Sequence, residues 1–75
     1  MHVDELRKLV HRQPFRPVDL RLADGTLLTV LHPESVAVAR DTVFVVQPDG
    51  DWEMVDPAQI ISVLRSKRNG VKSRR

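Results

Sequence analysis

Apolar and polar positions alternate with a period of two through most of this chain, and only its first stretch keeps a helical rhythm. Val3, Leu6, Leu9 and Val10 recur three and four residues apart, which gathers them on one face of a helix. Asp4 suits the N-cap and Glu5 the first turn, where carboxylates meet unpaired backbone N–H groups. Pro14 ends the pattern, because proline disfavours the helical region for the residue before it. The prediction is a helix over residues 4–13. A helix this short is marginal in water, so its apolar stripe must dock. Gln13-Pro14-Phe15-Arg16-Pro17 then reads as a stiff connector, with Phe15 anchored in the core.

From Val18 onward the period is that of strands. Val18, Leu20 and Leu22 alternate with Asp19 and Arg21, and Asp24-Gly25 supplies a turn tolerant of positive φ before Thr26–Leu31 returns. A two-residue loop at Asp24-Gly25 sets Leu22 opposite Leu27, Leu20 opposite Thr29 and Val18 opposite Leu31. That register leaves Leu28 and Val30 on the outer face beside Arg21 and Asp19. It implies a bent strand serving two sheet halves, or cover by the helix or another subunit. Further strands are expected at residues 36–39, 42–46, 52–55 and 60–64. The run 42–46 is apolar on both faces and reads as a central strand. Pro48-Asp49-Gly50-Asp51 is a turn by residue chemistry, and Asp56-Pro57-Ala58-Gln59 is one helical turn with Asp as cap. Phe44 reads as core. The fold class is mainly β: a small bent antiparallel barrel or sheet of five to six strands with one short N-terminal helix. It forms one domain over residues 1–64, followed by a basic, disordered tail over 65–75.

Leu6-Arg7 and Leu9, the run Gln13-Pro14-Phe15-Arg16-Pro17, then Leu22-Ala23-Asp24-Gly25, His32-Pro33-Glu34 and Val36-Ala37-Val38 form a pattern. On it the chain resembles a group of short, uncharacterised bacterial proteins, a likeness covering a little under half its length. The resemblance implies a bacterial cytoplasmic origin. More distantly, Asp24-Gly25 and Ile60-Ile61-Ser62-Val63 resemble the glycine hairpin and aliphatic last strand of Sm-like and Src-homology-type barrels, which implies a small bent barrel.

Charge changes this picture at one end. Of the twelve bases, Arg65, Lys67, Arg68, Lys72, Arg74 and Arg75 fall in the last eleven residues, without an acid among them. The other six bases face all ten acids, so the body is mildly acidic and the high pI belongs to the tail. These six residues are the candidate nucleic-acid contacts. Such contacts would neutralise phosphates without reading sequence. Asp49, Asp51, Glu53 and Asp56 could instead receive the tail, on the same or a neighbouring subunit. The first residues carry acids where a secretory leader carries only bases, and no run nears the ~18 apolar residues of a membrane span. The expectation is a cytoplasmic protein without a membrane partner.

Candidate chemistry is sparse. There is no cysteine, the serines lack a nucleophile motif, and no glycine-rich phosphate loop occurs. His2 and His11 stand nine apart, which misses the i, i+4 spacing of two ligands on one helix face. His32 and Glu34 sit in a proline loop, as a solvated histidine and a loop cap. No catalytic residue, metal, cofactor or small-molecule substrate is expected. Trp52, between Asp51 and Glu53, could join the core, contact a subunit or stack on a base. A chain of 75 residues has little core and commonly gains stability by association. The expected function is therefore non-enzymatic. The first reading is a homo-oligomeric interaction module using Leu28, Val30 and Trp52, and the alternative is sequence-indifferent nucleic-acid binding by the tail.

Overall fold

In the computed structural model, which describes residues 1–66, the helical rhythm becomes α1 (Val3–Val10) and the alternating stretches become six strands. These are β1 (Val18–Leu22), β2 (Leu27–Val30), β3 (Val36–Val38), β4 (Val43–Val46), β5 (Trp52–Val55) and β6 (Ile60–Arg65). They form two three-stranded antiparallel sheets, ordered β2-β1-β6 and β3-β4-β5. Single 3-10 turns at Pro33–Ser35 and Pro57–Gln59 precede β3 and β6. Asp56 caps the second by accepting from the Ala58 N–H at 2.9 Å. The central position expected for 42–46 is the one β4 holds.

The helix differs from expectation at both ends. Its cap is His2, whose Nδ1 accepts from the Asp4 N–H at 3.2 Å, while Asp4 pairs with Arg7 one turn on, at 3.1 Å. It ends at Val10, four residues before Pro14, with the His11 N–H closing onto the Arg7 carbonyl at 3.0 Å. Leu6 is the side chain that α1 buries in the core. The Met1 ammonium group donates to the Pro57 and Ile60 carbonyls at 2.8 Å each, tying the helix start to the turn before β6.

The first hairpin carries the main correction. Its turn has three residues, not two. The Leu22 N–H donates to the Thr26 carbonyl at 2.8 Å, and the Gly25 N–H closes onto the Leu22 carbonyl at 2.9 Å. Gly25 sits at a φ of +92°, as this loop requires of its last residue. Asp24 Oδ1 accepts from the Thr26 N–H at 2.9 Å, and that bond holds the Asp24 carboxyl below its ordinary value. Leu20 therefore pairs with Leu28 and Val18 with Val30. A slip of one residue exchanges the faces of a strand. Leu28 and Val30, expected outside, are 0% and 1% exposed, whereas Leu27 and Thr29 face outward. Thr29 there donates its hydroxyl to Asp19 at 2.8 Å.

A bulge in β6 makes the second adjustment. Leu22 opposes Ile60 and Arg21 opposes Ser62, so Ile61 is the extra residue and is pushed outward. Ile60 stays buried and Val63 returns to the core side opposite Leu20. Every helix and strand contributes to one buried cluster: Leu6, Leu20, Leu22, Leu28, Val30, Val36, Val43, Val45, Val55 and Ile60. Phe15 packs against it, as expected. Arg65 is the last residue of β6, and the Ser66 N–H donates to the Pro17 carbonyl at 3.1 Å. The fold thus runs past the expected boundary at residue 64. The rest of the expected tail, with Lys67, Arg68, Lys72, Arg74 and Arg75, lies outside the described residues.

The register has a direct test. Leu28→Ala should cost about 2–5 kcal/mol, comparable to the whole stability of a domain this small. Leu27→Ala should stay within about 1 kcal/mol as a half-exposed position on the outer face. Urea unfolding of both variants checks this, and the reverse ranking contradicts the three-residue turn.

Candidate functional site

Two surfaces stand out, and the first begins at the second hairpin. Its turn repeats the first in detail. The Gln47 N–H donates to the Asp51 carbonyl at 2.6 Å, the Gly50 N–H to the Gln47 carbonyl at 2.9 Å, and the Asp51 N–H to Asp49 Oδ1 at 3.0 Å. Gly50 takes a φ of +95°. This turn pairs Val46 with Trp52 and Phe44 with Met54. On the other side of β4, Phe44 pairs with Ala37. Val43 and Val45 point into the core, so the alternating residues Phe44 and Val46 point out of it.

The outer face of β3-β4-β5 is consequently apolar: Ala37, Phe44 and Met54 in one row, Val46 and Trp52 in the next. Phe44 and Trp52 stack with centroids 5.3 Å apart and planes at 23°. Trp52 is 60% exposed and Met54 65%. Phe44 is half-buried on this face and does not belong to the core. Of the three residues expected to form a protein interface, Trp52 alone is at the surface. Phe44 and Met54 join it, and the signal for both was the alternation along β4 and β5 once the turn length is known. Asp49, Asp51, Glu53 and Asp56, all exposed, lie in β5 and its flanking turns. Carboxylates along β5 and at its two ends repel phosphate from the vicinity of the aromatic pair.

The second surface is a cavity of about 180 Å³ where the end of α1, the connector and the end of β6 meet. Arg12, Arg16 and Arg65 line it, over apolar side chains such as Leu9, Val18 and Leu64. Arg65 was expected among the cationic contacts. Arg12 and Arg16 were not, because only the fold brings residues 12, 16 and 65 together. The five remaining candidate cations fall outside the described residues.

The histidines do not converge: His2 and His11 flank α1, and His32 is exposed before the turn to β3. Among the described residues no group of three His, Asp or Glu side chains could hold a metal ion, and no helix is long and apolar enough to cross a membrane. The chain matches no family model, no curated protein and no solved structure. What the two surfaces do has to be read from their own chemistry.

Trp52 is the one tryptophan, so its emission reports the first surface alone. In dilute solution acrylamide should quench it readily, and the ratio of caesium to iodide quenching should exceed that of free N-acetyltryptophanamide because of the carboxylates near it. A ratio equal to that of the free indole would show that those acids do not set the local potential.

Proposed function

We propose that this chain is a non-enzymatic binding module that associates with a second copy of itself through the outer face of β3-β4-β5. The observation that carries the reading is the pair of large exposed side chains, Trp52 and Met54, on one continuous apolar face with the Phe44 ring. Apolar side chains clustered on one side mark an interaction site far better than scattered ones do. Stacking two such faces would remove them from water and supplement a core that has ten buried members among the described residues. The burial of Leu28 and Val30 moves the interface from the first hairpin to the second sheet.

The two sheets are on this reading the halves of a small bent barrel of the Sm-like kind. Support comes from the strand orders β2-β1-β6 and β3-β4-β5, the packing of β2 against β4, and the single turn before the last strand. A fold of that type carries many functions and assigns none by itself.

Sedimentation velocity of the full chain should show concentration-dependent association that Trp52→Glu or Met54→Glu abolishes while far-UV circular dichroism stays unchanged. Acrylamide quenching of Trp52 in the native chain should fall as the concentration rises. A monomer at every concentration, or association indifferent to both substitutions, rules out this interface.

A further inference from the structure

We propose that Arg12, Arg16 and Arg65 form a phosphate-binding site that seats nucleic-acid backbone at the root of the C-terminal segment. All three guanidinium-bearing side chains line the same cavity, and no acid is among the described residues lining it. Among the described residues the ion pairs are Arg7–Asp4 and His2–Asp4, so none of the three is engaged by a carboxylate there. Guanidinium groups present paired donors that match phosphate oxygens, and Leu9, Val18 and Leu64 in the same lining offer no competing side-chain acceptor.

Two nearby negative features are already occupied. The C-terminal end of α1 is close, but the Arg7 and Leu9 carbonyls accept from the His11 and Arg12 N–H groups. The carboxylate of Asp19, in register opposite Leu64, is turned to Thr29 on the other neighbouring strand. The Ser66 N–H ties the end of β6, next to Arg65, to the Pro17 carbonyl beside Arg16.

The choice of a phosphodiester chain over a single anion follows from what comes next in the sequence. Lys67, Arg68, Lys72, Arg74 and Arg75 continue from Arg65 without an acid. Cations gathered at one cavity and followed in the sequence by further bases suit a ligand with regularly repeated charges. None of the large exposed apolar side chains, Leu27, Trp52, Met54 and Ile61, lines this cavity, so it lacks the protruding groups that enter a bilayer. Contacts made only to phosphate are indifferent to base sequence.

The test is fluorescence anisotropy of the full chain with fluorescein-labelled mixed-sequence duplex DNA across a salt series. Binding should weaken as salt rises. Replacing Arg12, Arg16 and Arg65 together by Gln should weaken it roughly tenfold or more and lower the log–log salt slope by about 3, near one per phosphate contact. The corresponding Lys variant should keep most of the slope. If the triple Gln variant loses its circular dichroism spectrum, Arg16→Gln alone, at an exposed position, should still lower the slope by about 1. An unchanged slope in the folded Gln variants overturns the site and leaves the contacts to residues 67–75. So does binding to phosphatidylglycerol vesicles without binding to DNA, or no binding to DNA at low salt.

Discussion

Two three-residue turns, Ala23-Asp24-Gly25 and Pro48-Asp49-Gly50, decide which side of each hairpin faces inward, and the rest of the molecule follows from them. In both, the aspartate accepts from the N–H two residues on and the glycine takes the positive φ that closes the loop. The length of such a turn fixes strand register, and register fixes the face of every side chain beyond it. At the first turn this drives Leu28 and Val30 into the core. At the second it sets Trp52 and Met54 on the solvent side. One local geometry, used twice, thus builds the interior and exposes the aromatic face.

The interior that results is small, and polar bonds at the margins help to hold it. The Thr29 N–H, on the outer strand of the first sheet, donates to the Gln47 side chain at 3.1 Å from the end of β4 in the other sheet. The Met1 ammonium group joins α1 to the turn before β6. Each of these bonds satisfies a backbone group that the sheets alone would leave open.

Much of the architecture was legible in the chain itself. The period-two runs placed all six strands and Asp56-Pro57 marked the turn before β6, whereas the helix stops at Val10, short of the end that Pro14 suggests. The register of the first hairpin was not legible, because Asp-Gly serves both a two-residue loop and the end of a three-residue one. That single ambiguity exchanged Leu28 and Val30 with Leu27 and Thr29. Phe44 was hidden for another reason: within Thr42–Val46 every residue but the first is apolar, so the run does not say which alternate positions face solvent. The Arg12, Arg16 and Arg65 grouping is a product of tertiary structure, since its last two members stand 49 positions apart (65 − 16).

The margins of the sheets also bear on what kind of assembly the aromatic face can make. β5 is an outer strand, and Glu53 sits opposite Val45 on its inward side, where a carboxylate discourages a neighbouring chain from docking alongside. On β2 the Thr29 N–H is already taken by Gln47, and α1 packs against β3. These features disfavour growth from β5 and β2, and the contact proposed above lies instead on the flat of the sheet. Two like surfaces laid against each other satisfy a two-fold axis and then stop, so the expected product is a closed pair rather than an open-ended fibre.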